Sequence, residues 1–414
     1  KPKPKPKPKP RPKPKLPLWL GFNQRNTAME VASRCLQALL LLGLAAFAPG
    51  LKLPGGTRVL VVGGSGRVGG STARAILRAA GAGVKVTVAG RSEVSYANAR
   101  ARWAADGLGV AADDERVSFT ACDLNDASSM AAALRSHDVV VHTAGPFQGL
   151  SDAKVLKVLL SDLISDEERP SAYVDVCDDA ELAGKVLETY GAEAEAKGVT
   201  AVLSTGTWPG ASSLMAMELQ RRLREEHAAS TDALDFNFFT SGSGGAGATV
   251  LAATFLILGE DALTFKGGKP NRKPTCTDTR KIEFPGIGAR DVQRLNLLEA
   301  WSSNRVLGVP NTQTFFGTAP FFWNALLAAM ARFVPKDLLR DRGFGKALAA
   351  VSVAPVYAVD TIFGTANGIR VDASGTTADG DAVSLSAALC HDDLEACVGE
   401  AVHAFASAAA TSAV

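Results

Sequence analysis

From about residue 57 the chain settles into short apolar runs separated by glycine turns and amphipathic stretches. Arg58-Val-Leu-Val-Val62 is a continuous β-branched run, the pattern of a parallel strand buried on both faces. Gly63-Gly-Ser-Gly-Arg-Val-Gly-Gly70 follows, then a helical run over Ser71–Ala80. Val84–Ala89, Val117–Cys122 and Asp138–His142 repeat the strand signal. Strands that alternate with helices predict an α/β domain with a doubly wound parallel sheet, assigned to residues 57–205.

The second half reads differently. Ser212–His227 has apolar positions at Leu214, Met217 and Leu223 and charges over Arg221–Glu226, which predicts a packed amphipathic helix. Leu234–Phe239 alternates with period two, as a strand does. A second glycine-rich turn, Ser241–Gly247, opens a helix at Ala248–Leu258 and could seat a substrate anion or only permit tight packing. Arg280–Phe284 and a segment near Gln293–Leu298 read as further strands. Gly368–Ala373 and Ala382–Leu389 read as a strand pair turning at Ala378–Asp381, and Leu394–Ala410 as a terminal helix docking back on the first domain. The expected units are an α+β substrate or dimerisation domain with a mixed or antiparallel sheet over 206–390, and a closing helix over 391–414.

Two apolar stretches complicate this picture. Phe315–Phe333 contains Pro320, Asn324 and Arg332, and Leu348–Phe363 contains Pro355 and Asp360, so neither gives the uninterrupted run of a transmembrane helix. Both read as mostly core, with an apolar groove for a lipid, isoprenoid or pigment as the alternative.

Charge changes the reading of the first fifty residues. Of a formal net +2, eight positive charges sit in the Lys-Pro repeat Lys1–Lys15, leaving −6 for the rest. Such a repeat is expected to be extended and disordered, an extension over 1–28 or a polybasic arm. The acidic remainder argues against a nucleic-acid partner. The first methionine is Met29, and Arg34 precedes an apolar run, Leu36–Ala46, of signal-peptide length. Ala45-Ala-Phe-Ala-Pro49 resembles the cleavage motif of bipartite plastid presequences in algae with secondary plastids. Residues 29–56 are therefore expected to be a targeting presequence and the protein plastid-located, with a cytoplasmic or secretory location as alternatives. The six cysteines show no C-x-x-C pair and read as reduced thiols, and no metal-ligand spacing is present.

The chemistry concentrates in the first half. Gly63 permits the tight turn that leaves the first strand, Gly66 lets backbone amides approach a pyrophosphate, and Gly69 lets the helix sit close to the sheet. Gly64, Ser65, Arg67 and Val68 complete the turn at a helix N-terminus, which favours an anion. This is the dinucleotide-binding unit of a Rossmann domain. The second strand ends in Gly90-Arg91-Ser92, without the acid that would take a ribose 2′-hydroxyl; Arg91 and Ser92 suit a 2′-phosphate, so NADP is favoured over NAD. Asp123 and Leu124 are placed on the adenine side, and Ala144, Gly145, Pro146 and Phe147 at the nicotinamide-facing crevice.

No catalytic constellation stands out. A short-chain dehydrogenase needs Tyr-x-x-x-Lys, and the residues four after Tyr96, Tyr173, Tyr190 and Tyr357 are Arg100, Cys177, Ala194 and Thr361. Asp175, Cys177 and Asp178 follow the fifth strand and face the crevice by position, as His142 does at the end of the fourth, where a structural role is the alternative. Thr207 and Trp208 lie at an interdomain turn.

Gly63–Gly69, Ala89-Gly-Arg91, Cys122-Asp-Leu124 and Val141-His-Thr-Ala-Gly-Pro-Phe147 together resemble the saccharopine dehydrogenase-like oxidoreductases. Tyr173–Val176 looks like that family's next strand and Ser204–Gly210 like its interdomain Gly-Pro turn; Phe316–Phe321, Gly368–Val371 and His391–Asp393 extend the likeness. The resemblance implies a Rossmann domain followed by a mixed α/β substrate domain and NADP-dependent hydride transfer. It does not carry over saccharopine as the substrate: His142 stands where many relatives have Asn, and no arginine cluster suits a dicarboxylic amino acid. The expected partner is a small molecule, apolar in one reading, with peripheral membrane contact and a homodimer left open. The alternatives are a non-catalytic NADP-binding redox sensor or assembly protein, and a cofactor-retaining lyase or isomerase.

Overall fold

Six short strands build a parallel sheet in the order β3-β2-β1-β4-β5-β6: β1 (Arg58–Val62), β2 (Lys85–Gly90), β3 (Val117–Ala121), β4 (Val139–His142), β5 (Ala172–Asp175) and β6 (Thr200–Val202). The computed structural model describes residues 52–79, 83–105, 110–111, 113–241 and 247–412, with the side chain of Phe363 excepted. The Lys-Pro extension and the expected targeting segment through residue 51 lie outside the described residues, as do residues 242–246 of the second glycine-rich turn.

The unbroken apolar run of β1 follows from this order. Val59 and Val61 point into one core and Leu60 and Val62 into the other, so both faces are sealed. The crossover helices are α1 (Arg67–Ala79), α2 (Glu93–Ala105), α3 (Ala127–Leu134), α4 (Lys154–Leu160) and α5 (Ala180–Ala196). α1 begins four residues before the expected Ser71, which puts Gly69 and Gly70 inside its first turn. Glycine disfavours helix by about 1 kcal/mol each, but here packing decides. A β-carbon on Gly69 would meet the Gly63 carbonyl oxygen and Thr143 Oγ1 at 2.5 Å, and one on Gly70 would meet the Trp103 ring at 2.8 Å.

The second sheet is mixed. It comprises β7 (Ala233–Ser241), β8 (Ala262–Lys266), β9 (Lys269–Lys273), β10 (Arg280–Phe284), β11 (Gly288–Arg294), β12 (Asn311–Ala319), β13 (Ala366–Thr376) and β14 (Ala382–His391). The main path is β10-β11-β12-β7-β13-β14, parallel only between β12 and β7, with β8 attached to β12 and β9 to β8. α6 (Ala211–His227) covers one face through Ala216, Leu219 and Leu223, packed with Leu234, Phe236 and Phe238 of β7. The strand expected near Gln293–Leu298 is displaced: β11 ends at Arg294 and α8 (Leu298–Leu307) starts four residues later. Leu295, Leu297 and Leu298 are apolar because they fill cores at the turn into that helix, not because they alternate across a sheet.

α7 (Ala248–Leu258), α9 (Phe321–Phe333), α10 (Lys336–Leu339) and α11 (Arg342–Phe363) form a helical layer beside this sheet. The expectation that Phe315–Phe333 and Leu348–Phe363 are mostly core holds at the β12 end, where Phe315 is fully buried, but not along the helices. Only Asn324 is buried along α9, and Phe321, Phe333, Val351 and Ile362 are exposed. α11 continues through Pro355, and Arg342–Ile362 is long and apolar enough to cross a membrane by length and composition, with 17% of that stretch buried.

The chain ends in α12 (Leu394–Ser412), which returns to the Rossmann sheet and lies beside α1 against β4, β5 and β6. Val402, Phe405, Ala406 and Ala409 enter the same core as Val59 and Val139. Small residues set the approach: at Gly399 a β-carbon would meet the Ser71 carbonyl carbon at 2.7 Å. The N-terminal sheet is thus completed only by the last residues of the chain.

Candidate functional site

A cleft of about 520 Å³ opens at the carboxyl ends of β1, β2, β4 and β5, where the strand order reverses between β1 and β4. Ligands of doubly wound sheets bind at this place. The structure brings most of the expected cofactor residues to its walls: Gly63, Ser65 and Gly66 from the first turn, Arg91 and Ser92 after β2, Asp123 and Leu124 after β3, and Ala144–Phe147 after β4. Gly64 packs against Val88. Arg67 pairs with Glu395 of α12 and donates to the Tyr357 hydroxyl of α11 at 2.7 Å, so it joins the closing helices to the glycine turn. Arg67, Val68 and Gly69 line a neighbouring space.

The cleft suits a phosphorylated dinucleotide. Gly63 has φ +82°, and a β-carbon there would stand 3.0 Å from Ala144, so the turn can be this tight only with glycine. Ser65 Oγ and His142 Nε2 are buried in the cleft wall without a hydrogen-bond partner. Arg91, Lys154, Arg342 and Lys346 line the cleft with positive charge, and Asp123 Oδ1 is occupied by the Asn125 backbone amide at 3.0 Å. Arg91 is exposed beside Ser92, whose hydroxyl accepts from the Ser95 amide at 3.1 Å and caps α2. Arg91→Asp is expected to weaken NADP binding by about a hundredfold, two lost charge-assisted bonds, and NAD binding far less; titration with both cofactors measures the ratio, and equal losses contradict the assignment.

Three of the four catalytic candidates belong to one hydrogen-bonded cluster in the wall of the cleft. His142 Nδ1 lies 3.3 Å from the Tyr173 hydroxyl, which donates to Asp175 Oδ2 at 3.1 Å. Asp175 Oδ1 accepts the backbone amides of Cys177 at 3.1 Å and Ser204 at 2.8 Å, tying β5 to the segment after β6. Burial lowers the His142 imidazole to about 4, so it is neutral near pH 7, and its Nε2 meets no hydrogen-bond partner. Burial raises the Asp175 carboxyl to about 6 and holds the Cys177 thiol well above its usual range, with Asp175 adding to the effect, so Cys177 is no thiolate.

Asp178, the fourth, faces elsewhere. The nicotinamide-side turn Gly145–Phe147, which includes the cis Gly145–Pro146 bond, separates the cofactor cleft from a space of about 350 Å³ bounded also by Asp178, Trp208 and Val250. Asp178, Trp208, Pro209, Val250 and Ala253 then bound a further cavity of about 320 Å³, walled by Phe255, Leu295, Trp323, Met330 and Val356. This cavity is lined mainly by apolar residues, with Thr240, Thr254, Thr318 and Ser352 and two carboxylates, Asp178 and Glu299, among them. On its other side Asp178 borders a polar recess with Asp179, Glu260, Arg272 and Asn296.

Glu299 was not among the candidates that the sequence offered. It stands in the first turn of α8 with no exposed surface; Oε1 accepts from Ser212 Oγ at 2.8 Å, and Oε2 has no partner. Burial raises its carboxyl to about 7, and the Asp178 carboxylate adds to the rise; burial raises Asp178 to about 6, opposed by Gln148. The signal in the sequence was a lone acid within Leu297-Leu-Glu-Ala-Trp301, flanked on both sides by apolar residues. An acid in the first turn of a helix ordinarily reads as a partner of the helix dipole.

Comparison with known proteins agrees with this geometry. Residues 59–202 match the family model described as the saccharopine dehydrogenase NADP binding domain. No curated protein matches the chain. Among solved structures, apo saccharopine dehydrogenase (L-Glu forming) from Saccharomyces cerevisiae is 14% identical over 84% of this chain and 90% of that one, with a TM-score of 0.55. A mutant meso-dapdh with DAP from Clostridium tetani is 14% identical over 83% of this chain and 86% of that one, with a TM-score of 0.38. Residues 59–202 are therefore an NADP-binding domain of the saccharopine dehydrogenase type, in a chain that has the fold of saccharopine dehydrogenase and takes NADP as its cofactor.

Proposed function

We propose that the protein is an NADP-dependent oxidoreductase whose substrate is a small, largely apolar molecule held in the cavity between Trp208, Glu299 and the helices α7, α9 and α11. One observation carries this reading: the turn Gly145–Phe147 borders both the cofactor cleft and a space that shares Asp178, Trp208, Pro209 and Val250 with the apolar cavity. Held in the cleft by the Gly63–Gly69 turn and Arg91, NADPH would supply hydride-donor chemistry toward a polarised double bond, whose other atom would need a proton. The chain's part is to orient the two partners, exclude water and hold that proton. Glu299, with a free Oε2 and a carboxyl raised to about 7, can hold a proton near neutral pH inside the cavity. Asp178 stands between this cavity and the polar recess, where it can pass protons to solvent.

The lining does not suit saccharopine or another dicarboxylic amino acid, since no arginine or lysine faces the 320 Å³ cavity among its described residues. A buried carboxylate pair would repel such a substrate. The reading is tested by following NADPH consumption with apolar ketones, imines and activated alkenes beside polar dicarboxylic substrates. Turnover with one of the apolar classes supports it; tight NADPH binding with no turnover across the panel would favour a cofactor-binding protein without catalysis.

A further inference from the structure

Ten large apolar side chains are exposed among the described residues, and eight of them lie between Phe321 and Ile362. They are ordered by helical spacing. Phe321, Ala325, Ala329 and Phe333 repeat every fourth residue on the open side of α9, and Ala347, Val351, Ala354, Ala358 and Ile362 make a matching stripe on α11. Exposure reaches 81% at Phe321, 77% at Phe333, 69% at Val351 and 74% at Ile362. A patch of this kind on a folded domain marks an interaction surface.

The inner side of the same helices identifies the partner. Trp323, Leu327 and Met330 of α9 and Leu348 and Val356 of α11 wall the apolar cavity, and Leu326 both lines that cavity and is 45% exposed. The surface and the cavity are therefore two sides of one thin apolar layer. α11 is fixed along its other side, with Ala349 and Val356 buried and Gly345 against Leu256, which suits a helix lying along a bilayer face better than one crossing it. Charge favours anionic lipid over a second copy. Arg332, Lys336 and Arg340 are exposed around the patch, Lys336 also pairing with Asp261 at 2.6 Å, against the exposed acids Asp337 and Asp341, in a chain that is acidic outside its first fifteen residues. Two copies docked face to face would set these basic groups against each other, whereas anionic headgroups complement them.

We infer that the α9–α11 face docks on an anionic lipid surface, and that an apolar substrate enters the adjoining cavity from that surface. The passage of substrate rests on the oxidoreductase reading above; the docking does not. The test is flotation of the full chain with phosphatidylcholine vesicles, with and without phosphatidylserine, for the native protein and for a variant carrying Phe321→Ser, Phe333→Ser, Val351→Ser and Ile362→Ser. The native protein is expected to float with the phosphatidylserine vesicles and to be released by salt. The variant should float about tenfold less or lower still, from four lost apolar insertions, with its melting transition and NADPH affinity unchanged. Equal flotation of the two proteins overturns the inference, because residues 1–51 are common to both and would then account for any binding. Absence of native binding overturns it too, as does a native dimer that the variant converts to monomer without a difference in flotation, which gives the face to a second copy. Vesicle binding without NADPH turnover would overturn the redox reading and leave this surface standing.

Discussion

Replacing Glu299 with Gln is expected to lower kcat by about a hundredfold or more, the usual contribution of a positioned acid, while NADPH affinity stays the same. The amide keeps the 2.8 Å contact with Ser212 and the volume of the side chain, but it has no proton to give from Oε2. The same change is expected to stabilise the protein at alkaline pH. Burial raises the folded-state carboxyl from 4.5 to about 7, so between those values the folded protein binds more protons than the unfolded chain. Native stability must then fall as pH rises through that window, and Glu299→Gln removes the loss. The gain over the native protein should be near zero below pH 4.5 and approach roughly 3 kcal/mol above pH 7, since each tenfold change in proton affinity is worth about 1.4 kcal/mol. Urea unfolding at several pH values measures it. A catalytic loss without this alkaline gain would mean that Glu299 is not held protonated in the fold.

The second large effect is expected at Gly69. Gly69→Ala sets a β-carbon 2.5 Å from both the Gly63 carbonyl oxygen and Thr143 Oγ1. Neither neighbour can yield. The Gly63 carbonyl accepts the Gly66 amide at 2.9 Å within the phosphate turn, and Thr143 Oγ1 donates to the Val62 carbonyl at 2.9 Å. The helix must move off the sheet, which costs about 3 kcal/mol for an overpacked core and removes α1 from the turn that receives the pyrophosphate. Melting temperature should drop, and NADPH binding should weaken by about a hundredfold, equivalent to about 2.7 kcal/mol. Gly90→Ala is the control: its nearest neighbour would be Ser65 Oγ at 3.7 Å, so its stability should remain within about 0.5 kcal/mol of native. Unaltered binding in Gly69→Ala would separate the glycine turn from the cofactor.

The cofactor half of the site was legible in the sequence because its parts are local. β1, the glycine turn and α1 are consecutive, and each of Arg91, Asp123 and Ala144–Phe147 follows its own strand directly, so knowing the sheet places the residues. The apolar cavity proposed for the substrate is built from segments far apart in the chain: Asp178 after β5, Trp208 before α6, Val250 on α7, Glu299 on α8, Trp323 on α9 and Val356 on α11. No periodicity joins such positions, and a lone Glu in a first helical turn has a more ordinary explanation. The helices α9 and α11 were misplaced for a related reason. Apolar composition says that a face will be covered but not by what, and these two leave one face outside the fold. His142 and Asp175 stand at strand ends as expected; the Tyr173 hydroxyl between them, which links the two into one cluster, could be seen only once β4 and β5 were paired.

Deuterium transfer is the decisive measurement for hydride delivery into the apolar cavity. The protein is incubated with NADPH carrying deuterium at the transferable position of the nicotinamide ring and with the apolar carbonyl, imine and alkene panel, and the recovered compounds are analysed by mass spectrometry. One deuterium at a single carbon of an apolar compound, absent without protein and strongly reduced by Glu299→Gln, is the predicted result. Saturating NADPH binding with no deuterium in any apolar compound, or label appearing only in a dicarboxylic amino acid, would contradict it.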